Sequence, residues 1–69
     1  MSSFPYLSRI RELLAKHRPQ VVEEWDAMMC KSMQCGDIIL DRHFPRQDGK
    51  RWGYIPFDAL VVDLEKALN

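Results

Sequence analysis

Between Asp37 and Pro56 the chain leaves the three-and-four spacing of apolar residues that it keeps elsewhere, so the fold has to be arranged around that interruption. Asp37-Ile38-Ile39-Leu40-Asp41 is apolar and β-branched, follows Gly36, and reads as a short strand that Arg42 to Phe44 extend. Pro45, Asp48 and Gly49 bring turn chemistry, and Asp-Gly is a strong signal for a tight turn. Arg51-Trp52-Gly53-Tyr54-Ile55 then alternates as a returning strand would. The expectation is a β-hairpin over about residues 37–55. The alternative is an ordered loop that wraps the helices with Phe44, Trp52 and Ile55 turned inward.

Helices are expected on both sides. The first starts near Phe4 or Pro5, with Ser2 or Ser3 as N-cap and Pro5 in the first turn, where a missing N–H costs nothing. Its apolar stripe is Tyr6, Leu7, Ile10, Leu13, Leu14 and His17. It ends at His17-Arg18, because a residue before proline avoids the α region. Pro19 opens a second helix with Val21, Val22, Trp25, Met28, Met29 and Met33 on one face. Its early acids, Glu23, Glu24 and Asp26, suit the positive end of a helix dipole, and Gly36 reads as its C-cap. Pro56 opens the last helix, whose stripe is Phe57, Leu60, Val61, Leu64 and Leu68, with Val62 outside it. The expected class is α+β, mostly α, in the order α-α-β-β-α and as a single domain over residues 1–69.

A chain of 69 residues buries only about 60% of its unfolded surface, and small folds often add stability by dimerising. A homodimer is therefore one expectation. At 46% hydrophobic residues the chain is too apolar for intrinsic disorder. Its net charge of zero conceals blocks of alternating sign: +3 over residues 1–20, −4 over 21–41, +3 over 42–51 and −2 over 52–69. Alternation suits charge matching within the chain or across a dimer better than one broad nucleic-acid face. Nothing approaches the roughly 18 apolar residues of a membrane span. Two cysteines, Cys30 and Cys35, and an N-terminus without leader character point to a reducing, cytoplasmic setting.

The chemistry concentrates in the hairpin region, where Arg42, His43, Arg46, Lys50 and Arg51 interleave with Phe44, Trp52 and Tyr54. Cations suit phosphates, and aromatics can stack on bases or fill a protein pocket. Two helices followed by a basic hairpin resemble the wing of winged-helix DNA-binding proteins, over residues 37–55. That resemblance implies phosphate contacts by the hairpin and a recognition helix before it. The acids of the second helix have the wrong sign for that role. A third possibility is a solvated turn whose cations pair with acids of the second and last helices.

Met28, Met29, Cys30, Met33 and Cys35 are soft ligand types, but the Cys-x4-Cys spacing is loose and the methionines have places on the apolar face, so no metal or cofactor is expected. Cys30, His17 and His43, with Asp41 to orient His43, contain the groups of a thiol–imidazole pair, yet no spacing forces them together. No enzymatic activity is expected. Trp25 belongs to the core, and Trp52 is open to either role. The sequence thus points to a small regulatory or adaptor protein that binds, and inhibits or modulates, a larger protein partner. Its contact set is Arg42, Phe44, Arg46, Lys50, Arg51, Trp52 and Tyr54. A small winged-helix-like DNA-binding regulator is the alternative.

Overall fold

A computed structural model describes residues 3–28 and 33–69, with side chains described from Leu7 to Met28 and from Cys35 onward. In order, the elements are α1 (Ser3–His17), α2 (Pro19–Ala27), α3 (Met33–His43), a single 3-10 turn (Trp52–Tyr54) and α4 (Phe57–Leu68). The helix α1 lies at the centre and packs against all three others. Its Leu7, Ile10, Leu13 and Leu14 are buried at helical spacing. Pro19 forces Arg18 to φ −141° and ψ 72°, which ends α1 and lets α2 start at a new angle with proline in its first turn.

The helix α2 is short and turns Val21 and Trp25 inward. It stops at Ala27, earlier than its methionine spacing suggests, and Met28 is 40% exposed rather than on the apolar face. Met29 of the expected stripe, and Cys30 beside it, lie outside the described residues. Gly36 is not the cap of this helix but a residue within α3, under the Trp25 ring. A Cβ at Gly36 would lie 2.8 Å from Cη2 of Trp25, so the bare backbone is what lets the two helices meet.

The expected hairpin is absent: no strand occurs among the described residues, and the α+β class gives way to an all-helical one. Ile39 and Leu40 show why. Both are fully buried, while Ile38 is 39% exposed. A strand would put Ile38 and Leu40 on one face and Ile39 on the other; a helix buries Gly36, Ile39 and Leu40 together. The β preference of the isoleucines spans only about 1 kcal/mol. Burying two large aliphatic side chains contributes roughly 1.5–3 kcal/mol each, so packing decides. The returning strand is missing for a related reason. Tyr54 N–H closes on Arg51 O at 3.0 Å and Ile55 N–H on Trp52 O at 3.1 Å, bending the chain locally. Residues 44–56 form an ordered connection with Trp52 buried and Phe44 and Ile55 packed against the core. With no hairpin, residues 37–55 have no wing.

The helix α4 completes the core with Leu60, Leu64 and Leu68, and Val62 is exposed on its outer side. Charged side chains stitch the helices. Arg11 of α1 holds Asp26 of α2 through two hydrogen bonds, 3.0 Å and 2.8 Å long. Glu24 of α2 accepts from Arg42 at 2.8 Å and pairs with His43, both at the C-terminal end of α3. The acids of α2 thus serve as cross-helix clamps. Among the described residues no helix is long and apolar enough to cross a membrane. Cys35 is disulfide-bonded, so the cysteine argument for a reducing setting loses its footing.

Candidate functional site

The connection between α3 and α4 is organised by Trp52. Its side chain is 2% exposed. Its backbone N–H donates to Asp41 Oδ1 at 2.9 Å, and its Nε1–H donates to the Phe44 carbonyl at 2.6 Å. The turn is therefore tied to α3 from both ends of one residue. Two grooves flank it.

The groove on the α4 side has a volume of about 540 Å³ and is lined by Phe44, Arg46, Trp52, Asp63 and Lys66, among others. Arg46 fills its wall. The guanidinium lies 4.8 Å from the centre of the Trp52 ring. It donates to Asp48 at 3.1 Å and 2.9 Å, and pairs with Asp63 at 3.0 Å. Asp48 also accepts the Lys50 N–H at 2.9 Å. The bonds from Arg46, then from Lys50 N–H, bring the Asp48 carboxyl down to about 2. Asp48 and Asp63 in turn raise the Arg46 guanidinium above its ordinary value.

The groove on the α3 side is smaller, about 340 Å³, and is lined by Asp37, Ile38, Asp41, Arg51, Gly53 and Tyr54. Asp37 and Asp41 are one helical turn apart on α3. Both oxygens of Asp41 are used, Oδ1 by Trp52 N–H and Oδ2 by Arg51 Nε at 3.1 Å. Asp37 Oδ1, by contrast, is buried without a hydrogen-bond partner. Burial, then the charge of Asp41, raises the Asp37 carboxyl above the ordinary range, with Arg51 opposing. Gly53 closes against this carboxylate: a Cβ there would lie 2.7 Å from Asp37 Oδ2. At the mouth stand Tyr54, 79% exposed, and Ile38.

The seven residues expected to make contacts are thus dispersed. Arg42 pairs with Glu24 on α2, away from the turn. Arg46 is occupied by Asp48 and Asp63, and its side chain is only 13% exposed. Phe44 is half-buried and Trp52 buried. Lys50, Arg51 and Tyr54 remain outward. Arg42 and Arg46 do pair with acids of the second and last helices, as the solvated-turn reading has it. The thiol–imidazole grouping is not assembled from the described residues: His43 pairs with Glu24, Asp41 serves Arg51 and Trp52, and Cys30 lies outside them. Among the described residues no three His, Cys, Asp or Glu side chains converge as metal ligands.

Asp37 and Ile38 are not among the site residues expected from the sequence, and Asp41 is expected there only as a residue to orient His43. Their signal is the i, i+4 spacing of two carboxylates, which lie on one face of a strand as well but come within one turn of each other only in a helix. The chain matches no protein-family model, no curated protein and no solved structure.

Proposed function

We propose that this protein is a small non-enzymatic regulator or adaptor that docks on a larger protein partner and modulates it, through the face formed by Lys50, Arg51 and Tyr54. The observation that carries this reading is Tyr54, a residue 79% exposed on a turn that buried Trp52 holds in place. Tyrosine and arginine are enriched among residues that dominate binding energy. A pre-ordered turn also reduces the ordering cost of association. Arg42, Phe44, Arg46 and Trp52 then support the face rather than touch the partner. Nucleic-acid binding draws on cations free to meet phosphates. Arg42 and Arg46 are engaged in ion pairs with Glu24 and Asp63, which leaves only Lys50 and Arg51 of the connection's cations on the outward face and favours the protein partner.

Affinity capture from the source cell tests this, with the wild type compared with Tyr54→Ala and with Val62→Ala on the outer side of α4. A partner held by wild type and Val62→Ala, lost from Tyr54→Ala and only weakly sensitive to salt, is the expected result. The same prey on Tyr54→Ala, or a nucleic acid with a steep salt dependence, contradicts it.

A further inference from the structure

We propose that the groove between Asp37 and Asp41 of α3 and the Trp52–Tyr54 turn receives an arginine side chain of the protein partner. This rests on reading the Tyr54 face as the docking face, and it adds the chemistry that the face selects.

The charges inside the groove do not balance. Two carboxylates, Asp37 and Asp41, face one guanidinium, Arg51, whose Nε is already bound to Asp41. The other half-buried carboxylates, Glu24, Asp41 and Asp63, each have a cationic partner, whereas Asp37 Oδ1 has no hydrogen-bond partner. Burying a carboxylate oxygen without a donor costs free energy that an incoming donor recovers. The χ2 torsion of aspartate is soft, so the carboxylate can turn an oxygen toward the groove.

The walls choose among cations. Tyr54 stands open at the mouth, and a planar guanidinium stacks on an aromatic face while its N–H fork meets a carboxylate. Ile38, 39% exposed, offers an apolar surface to the methylene stem. The volume of about 340 Å³ is near the lower end of ligand sites, about 300–1,000 Å³, which suits one side chain. An ammonium lacks the planar fork. A metal ion would find one carboxylate already committed to Arg51.

Amide NMR shifts of the isotopically labelled full chain test the proposal, using acetyl-arginine amide as probe beside acetyl-lysine amide and uncharged acetyl-citrulline amide. A single side chain binds weakly, in the millimolar range or above. The expected result is a set of saturable shifts at Asp37, Ile38, Asp41, Gly53 and Tyr54, larger for arginine than for lysine and absent for citrulline. Asp37→Asn, which keeps shape and removes charge, should lose them, and Tyr54→Ala should reduce them. Equal shifts beside exposed Glu23, Asp58 and Glu65, shifts that persist in Asp37→Asn, or no shifts at all would overturn it. Shifts of the same amides that grow with protein concentration alone would assign the groove to an arginine of a second copy, and overturn the external partner. Capture of the partner separates this from the docking face itself. A partner kept by Asp37→Asn but lost from Tyr54→Ala overturns the arginine site and leaves the face standing. A partner kept by both overturns the face as well.

Discussion

The two grooves lie on either side of the turn that buried Trp52 anchors, and they differ in how their charges are closed. On the α4 side, Arg46 meets Asp48, Asp63 and the Trp52 ring, so both carboxylates of the wall are answered from within the chain. On the α3 side, Arg51 answers Asp41 and leaves Asp37 with a buried oxygen and no donor. The larger groove is the completed one. Volume alone points to the α4 side, whereas hydrogen-bond satisfaction points to the α3 side, where a buried carboxylate oxygen has no donor.

The largest expected effect comes from removing the anchor of the turn between the grooves. Trp52→Ala deletes a buried ring and its Nε1–H hydrogen bond to the Phe44 carbonyl, and core Trp→Ala changes cost about 3–5 kcal/mol. For a chain of this size that approaches the whole stability, so denaturant unfolding should show a largely unfolded protein. A loss below about 1 kcal/mol would mean that Trp52 does not organise the connection. Next comes the contrast between the two arginines. Arg46→Ala removes a cation–π contact and two ion pairs from a mostly buried side chain, for a loss of about 1–2 kcal/mol. Arg51→Ala removes one exposed pair and should change stability by no more than about 0.5 kcal/mol. Equal losses would erase the difference drawn between the two sides.

Asp37→Asn should act in the opposite direction and raise the melting temperature at neutral pH. The sign follows from the titration. A carboxyl whose folded value is raised destabilises the fold above that value and ceases to do so as pH falls below its unfolded value. The gain from Asp37→Asn should therefore fade on acidification. Glu24, Asp26 and Asp48 are all lowered, by hydrogen bonds from His43 and Arg42, from Arg11, and from Arg46 respectively. Their stabilisation is present above the ordinary carboxylate range and is lost as pH falls through the folded values, down to about 2 for Asp48. Thermal melts of both proteins across acid pH check this; a gain for Asp37→Asn that grew in acid would contradict it. The smallest effect is that of Tyr54→Ala, within about 0.5 kcal/mol of wild type by denaturant titration, despite its expected loss of partner.

Much of the scaffold was legible. The buried leucines and isoleucine of α1 and the buried Leu60, Leu64 and Leu68 of α4, the break at Pro19, the burial of Trp25 and the exposure of Val62 all follow from spacing and proline geometry, whereas Phe57, expected on the α4 stripe, is 38% exposed. The alternating charge blocks also carried real information, since Arg11, Arg42 and Arg46 pair with acids of other blocks or other helices. What misled was α3. Gly36 has the look of a helix cap, but its missing Cβ serves Trp25, a contact visible only in three dimensions. Ile38 and Ile39 have strand propensity, and tertiary burial of Ile39 with Leu40 overrode it. Reading that segment as a strand separated Asp37 from Asp41 and hid the α3 groove. The basic residues Arg42, Arg46 and Arg51 drew attention through their number, whereas the folded chain had already used them.

Direct measurement of the Asp37 carboxyl by side-chain NMR titration, alone and with acetyl-arginine amide, addresses the central claim most closely. The account predicts that Asp37 titrates above the ordinary aspartate range, that Asp48 titrates near 2, and that the arginine probe lowers Asp37 while leaving Asp48 unmoved. An Asp37 that titrates with the exposed carboxylates and ignores the probe would contradict it.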